Sequence, residues 1–187
     1  MDGRRARGAA RRALLLDAAV RVVGKRGFAA LTHRAVADEA HVSLASTTHH
    51  FPSIGDLRRA MFGHAGSGIG LELAGLVAAA AHDTEAVPAI CADFAARLVS
   101  ERRVETAAVF EMIVAAGHDA ELRPVARFFQ DRLTDLFMPY VGEPVAARAI
   151  GAAVQGLLLT AVASGEHAAL RGSVEDLIRR YRRSSLN

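Results

Sequence analysis

The sequence predicts an all-α protein, and three observations predict it. Apolar residues make up 51% of the 187, and alanine, the best helix former, dominates that share. Only five prolines interrupt the chain. Apolar positions recur at helical spacing over most of its length, with no strand-like alternation and no repeated period. The chain is also long enough to bury a real core.

The elements follow in order. Residues 1–9 are polar and rich in Gly and Arg, and are expected to form a disordered basic arm. From Ala10 to Arg26 the apolar residues Leu15, Ala18, Ala19, Val22 and Val23 recur at helical spacing. Lys25 and Arg26 suit the C-terminal end of the helix dipole, and Gly27 suits a left-handed cap. Thr32 is the expected N-cap of a short helix over His33–Ala40. Ser43, just past His41-Val42, caps a second short helix from Leu44 to His50. Phe51-Pro52 ends it, because the residue before proline is driven out of the α region.

Ser53 with Asp56 three residues on opens a fourth helix, Gly55–Ala81. Gly63, Gly66, Gly68 and Gly70 weaken it by about 1 kcal/mol each relative to Ala, so a kink or break is expected at 63–70. Further helices are expected at 85–102, at 104–116, at 121–138 ended by Pro139, at 144–164 closed by Gly165, and at 173–183 opened by Ser173. That makes about nine helices, divided as the arm 1–9, a head 10–54 and a body 55–187.

Charge separates the head from the body. The net charge of +3 resolves into +6 over residues 1–64 and −3 over the rest. A basic front on a mildly acidic back suits a phosphate-binding head on an ordinary helical body. The single cysteine, Cys91, lies in an apolar stretch and reads as a buried structural thiol of a reducing cytosol. Leu14-Leu15-Leu16 is cut short by Asp17 and Arg21, unlike a signal peptide. The uncharged stretch Ala149–Ser164 falls short of a membrane span of roughly 18 residues. A cytoplasmic protein with no membrane partner is expected.

The segment 31–53 carries the functional reading. Two short capped helices joined by a tight turn match the helix-turn-helix plan. Val36, Ala37 and Ala40 can pack inward from the first helix, with Val42 from the turn and Phe51 just beyond the second. The second helix is too short and polar for a core element. Its Ser46, Thr47, Thr48, His49 and His50 form a row of hydrogen-bonding groups suited to base edges or phosphates in a major groove.

From about Arg11 to Phe62 the sequence resembles the N-terminal domain of TetR-family regulators. The resemblance rests on an ordered set: Gly27-Phe28, Leu31-Thr32-x-Arg34-x-Val36-Ala37, Ala40-x-Val42-Ser43, His49-His50-Phe51-Pro52-Ser53 and Asp56-Leu57. It implies a three-helix DNA-binding head with a helical ligand-sensing body. It implies a DNA-facing set of Thr32, His33, Arg34, Ser43, Leu44, Ser46, Thr47, Thr48, His49 and His50. Separately, the basic arm offers an added contact from Arg4, Arg5 and Arg7, with a merely solubilising tail as the alternative. Three positions depart from the pattern. His41 stands where the turn usually has Gly, and His tolerates φ > 0. Thr48 replaces an aromatic residue, and Ile54 replaces a lysine after Pro-Ser.

No catalytic, cofactor or metal site is expected. The chain has no phosphate-cradling Gly loop and no nucleophile elbow. His33, His41, His49, His50 and His64 lack ligand spacing and no cysteine pair accompanies them.

Helix 144–164 is apolar nearly all round. Ala149, Ala153, Gly156, Thr160 and Ala163 make a stripe of small residues, and Ile150, Val154, Leu157, Leu158 and Ala161 a bulkier one. One face therefore suits a partner subunit and the other the chain's own core. The resemblance implies a homodimer through helices 144–164 and 173–183. It also implies a cavity for an unknown small-molecule effector, with Phe94, Leu98, Phe110, Glu111, Val114, Phe128, Gln155 and Thr160 as candidate lining. Within that set Glu111 and Gln155 sit in apolar surroundings and need a partner. The function expected is a repressor that binds double-stranded DNA at a palindromic operator and is released by effector. A helical ligand-binding or protein-interaction module with degraded DNA binding is the alternative, motivated by His41, Thr48 and Ile54.

Overall fold

The computed structural model describes residues 2–185, apart from the side chains of residues 2, 4, 125 and 182–185. Among the described residues it contains nine α-helices and no strand. They are α1 (Asp2–Arg26), α2 (His33–Glu39), α3 (Leu44–His50), α4 (Ile54–His82), α5 (Val87–Ser100), α6 (Arg103–Ala115), α7 (Arg123–Val141), α8 (Pro144–Ser164) and α9 (Leu170–Ser185). Short 3-10 turns precede α5 and α7, and another, Phe28–Ala30, follows α1.

Capping chemistry explains the boundaries that agree with the sequence reading. Thr32 Oγ1 accepts from Ala35 N–H at 3.1 Å and opens α2. Ser43 Oγ accepts from Ser46 N–H at 3.2 Å and opens α3. Ser53 and Asp56 cap α4 reciprocally, Asp56 N–H donating to Ser53 Oγ and Ser53 N–H to Asp56 Oδ2. Gly165, at φ +76°, closes α8 in the left-handed conformation.

Four boundaries differ from expectation. The arm is helical, since α1 begins at Asp2 and not at Ala10. α4 is unbroken through its glycines. Pro139 lies inside α7 rather than ending it. The helix lacks one amide there, runs two residues further, and stops at Gly142, which has φ +71° and whose N–H bonds to Met138 C=O. α9 starts at Leu170, so Ser173 is an interior residue whose N–H bonds to Ala169 C=O. Burial of Leu170 explains the earlier start, because an apolar anchor fixes the first turn.

The chain forms two compact units, Met1–Ser67 with Ala107–Val125, and Gly68–Thr106 with Ala126–Asn187. The division within α4 falls inside its glycine-rich stretch. It also assigns most of α6 to the front unit, which a cut at residue 54 does not.

In the front unit α1 packs on α2 and α2 on α3. Leu15, Ala18, Ala19, Val22 and Val23 of α1 are buried, as are Val36, Ala37 and Ala40, and Phe51, Leu57 and Phe62 beyond them. In the second unit α5, α8 and α9 pack on one another. Their core includes Cys91, Phe94, Ile150, Val154, Val174 and Ile178. Gly151 lets α7 approach α8, since a Cβ there would meet Leu133 Cβ at 3.2 Å.

By length and composition α4 and α8 could each cross a membrane. α8 has the bounds expected from the sequence, and its 21 residues include the charged Arg148 ahead of the uncharged stretch. Seven of those residues are instead buried within the protein, from Ala147 to Val162.

Candidate nucleic-acid interface

The head is held in shape by local bonds that leave one surface free. The turn between α2 and α3 passes through His41 at φ 53°, the left-handed conformation for which glycine is the usual residue. Val42 N–H bonds to Ala37 C=O and closes the turn at 2.9 Å. The loop after α3 is fixed from below, where His33 Nε2 lies 2.7 Å from Phe51 C=O. The Phe51 ring is buried, with the Arg12 guanidinium over it at 4.9 Å from the centroid.

α3 then divides into an inner and an outer side. Leu44, Thr48 and His49 are exposed, Ser46 and His50 half-buried, and Ser43 exposed at its start. Thr47 is the correction: it is fully buried, with its hydroxyl unpartnered among the described residues. It sits four residues past the N-cap, on the face that packs against the rest of the head, so it cannot reach a base. The Thr48 hydroxyl bonds back to the carbonyls of Leu44 and Ala45, which leaves its methyl group to present outward. Burial, then the charges of His49, Arg12 and Arg11, push the His50 imidazole below its ordinary value of 6.5 and favour its neutral form.

The basic residues near α3 fall into two groups. Arg34, Arg5, Arg7, Arg11 and Arg12 are exposed, and no ion pair engages them among the described residues. The side chain of Arg4 lies outside the described residues. Arg59, by contrast, is clasped by Asp56 at 2.6 Å and Glu121 at 2.5 Å, and both carboxylates hold its proton more tightly than usual. Arg58 is half-buried with its guanidinium over the Phe28 ring. Neither arginine supplies the free charge that the lysine missing at Ile54 would have given. Arg11 and Arg12 were missed from the sequence alone. The signal was there, because both continue the buried face of α1 at helical spacing.

This geometry, a capped three-helix head with a short solvent-facing third helix, is matched by known families. The family described as "Bacterial regulatory proteins, tetR family" matches residues 15–61. "Tetracyclin repressor-like, C-terminal domain" matches residues 82–183. The chain belongs to the TetR family. It is a DNA-binding transcriptional regulator with a helix-turn-helix head.

Solved structures agree over nearly the whole chain. A TetR-family member, SCO1917 from Streptomyces coelicolor A3, is 33% identical over 91% of this chain and 97% of its own, with a TM-score of 0.76. The multidrug binding protein EbrR complexed with ethidium is also 33% identical, over 91% and 98%, with a TM-score of 0.72. EbrR complexed with imidazole is 33% identical over 91% and 94%, at 0.71. No curated protein matches the sequence.

The body residues expected to line a cavity are distributed across both units of this TetR-family chain. Phe94 and Leu98 are buried and Gln155 half-buried, while Thr160 is exposed with its hydroxyl bonded to Gly156 C=O. Phe128 is 42% exposed, its ring edge lying against Gly70, where a Cβ would come within 2.9 Å. Phe110, Glu111 and Val114 belong to the front unit. Val114 is 65% exposed, and Glu111 spends its carboxylate on the Phe28 N–H at 3.1 Å. The second unit has an open cavity of about 450 Å³ walled by Leu76, Phe94 and Arg97, and one of about 540 Å³ walled by Leu157, Thr160 and Leu170.

Proposed function

We propose that this regulator acts as a homodimeric repressor in the cytoplasm, binding a palindromic operator and leaving it when a small molecule binds the body. The observation that carries the DNA-binding mode is the outer side of α3. Leu44, Thr48 and His49 of α3 are exposed, as are Arg34 of α2 and Arg5, Arg7, Arg11 and Arg12 of α1, and Arg12 lies over Phe51 at the end of α3, so the head offers apolar, imidazole and cationic groups to solvent. Such groups suit base-edge and phosphate contacts.

A dimer is supported by α8. Its bulkier residues Ile150, Val154, Leu158 and Ala161 are buried. Gly156, Thr160 and Ala163 of the small-residue stripe are exposed, and Leu159 and Val145 beside it are 45% and 73% exposed. Pairing of α8 and α9 with a second copy would cover that face, and two heads one helical turn apart would read an inverted repeat. For the effector, EbrR complexed with ethidium, proflavin or malachite green suggests aromatic compounds. Any effector must bind the released geometry better than the DNA-bound one, since equal affinity shifts nothing.

Selection from random duplexes tests the reading. Enrichment of an inverted repeat, with affinity that falls steeply with salt, is expected, as is binding of ethidium by the chain in the absence of DNA, since ethidium also intercalates into duplexes. Absence of enrichment would favour a helical ligand-binding or protein-interaction module. The bonds of the Thr48 hydroxyl to carbonyls of its own helix and the pairing of Arg59 are the observations on that side.

A further inference from the structure

The first three turns of α1 lie beyond the packed core of the head, yet they keep its inner face. Arg11, Leu15, Ala18 and Val22 follow one another at intervals of four, three and four, and so do Arg12, Leu16, Ala19 and Val23. All six apolar members are buried, and both arginines at the head of these rows are exposed. Arg7 stands four residues before Arg11 and Arg5 seven before Arg12, so the same two rows continue outward as arginine. The face that is apolar inside the head is therefore basic where it leaves it.

That face runs toward the DNA-reading side. Arg12 is seated over Phe51, the residue that ends α3, and Arg11 and Arg12 both act on the imidazole of His50. Arg5, Arg7 and Arg11 have no acidic partner among the described residues, whereas Arg21 and Arg59 of the same unit are both paired. Charge placement makes the case stronger. Arg7 and Arg11 repel at i, i+4, and cations at a helix N-terminus oppose its dipole. A polyanion laid along this face would relieve both.

We infer that residues 5–12 of α1 form a rigid helical extension of the DNA interface, with Arg5, Arg7, Arg11 and Arg12 gripping phosphates beside the segment read by α3. The inference rests on the DNA-binding reading above, and goes beyond it in replacing a loose basic arm by a helix of fixed register. Arg5 to Arg12 spans about 10 Å along the axis, enough to add contacts on one strand.

The test uses the full chain and a duplex selected by the wild-type protein, with affinity followed against salt. Arg5→Gln with Arg7→Gln is expected to lower the log–log salt slope by about 1.8 for each chain bound, at about 0.9 per lost phosphate contact. The selected sequence should not change. Gly8→Pro keeps every arginine but interrupts the helix, and is expected to lower the slope similarly. Gly8→Ala, whose Cβ would meet nothing within 4 Å, should tighten binding. An unchanged slope in the double variant overturns the inference, and so does a wild-type slope in Gly8→Pro, which would mean a flexible tether. If the wild-type chain selects no sequence at all, the DNA-binding reading itself fails, a separate outcome. Thermal unfolding of each variant should match the wild type, because positions 5–8 precede the core that starts at Leu15.

Discussion

The Glu111 carboxylate accepts a hydrogen bond from the backbone N–H of Phe28, 83 residues earlier, at 3.1 Å. It does so directly after Gly27, whose φ of +80° turns the chain out of α1, and a Cβ at Gly27 would lie 3.7 Å from Glu111 Oε2. One carboxylate of α6 thus holds the joint between α1 and the rest of the head. Glu111→Ala should lower stability to urea by about 1 kcal/mol, the usual net worth of a hydrogen bond, and Glu111→Gln by less because its amide oxygen still accepts. Equal losses in the two variants would show that the bond is not what matters.

Thr47 offers an opposite expectation. Its hydroxyl is buried and unpartnered, so Thr47→Val replaces it by a methyl group of the same shape and should raise stability by roughly 1 kcal/mol. Because the side chain faces inward, the selected DNA sequence should be unaltered. A changed base preference in Thr47→Val would place this residue at the DNA instead.

Glu39 links α2 to α1 by accepting from Arg21 at 2.9 Å and Lys25 at 3.0 Å. The hydrogen bonds from Lys25 and then Arg21 hold its carboxyl below the ordinary value of 4.5. A folded-state value below the unfolded one means the stabilisation is present in full above pH 4.5 and is lost as pH falls through the lowered value. Denaturation followed from about pH 7 to pH 3 should show wild type and Glu39→Gln converging at the acid end. A gap that widens toward acid would contradict this.

Cys91 is buried, and burial pushes its thiol up to about 12. The reactive thiolate is therefore scarce at neutral pH. Iodoacetamide labelling of the native chain should be slow and should accelerate on unfolding in urea. Rapid labelling of the folded protein would contradict the packing of α5.

Much of this fold is legible from punctuation. Thr32, Ser43, Ser53 and Gly165 stop or start helices through bonds that involve only a few neighbouring residues, so local sequence suffices. His41 could be read as a left-handed turn for the same reason. Other features depend on what the chain meets later. The start of α1 was hidden because arginines and glycines near a helix N-terminus oppose helix formation locally. The extra turn of α9 comes from burying Leu170, and α7 passes Pro139 within its last turn, where only one amide is lost.

The site shows the same division. That α3 would carry polar groups was readable, but which of its residues face inward was not, because a seven-residue helix has too few apolar positions to define a phase. Thr47 fills that gap in the core with a residue that looks like a DNA contact. Glu111, expected to need a partner in its apolar stretch, is exposed, so its bond is not one that burial demands. Its partner is a backbone amide in the head, which no side-chain pattern announces.

Comparing sequences selected from random duplexes by the wild type and by His49→Ala tests most directly whether α3 reads DNA with its outer side. The expected result is an inverted repeat for the wild type, and for His49→Ala the same half-site spacing with preference lost at one or two base pairs in each half. Identical selected sequences from the two proteins, or none from the wild type, would contradict it.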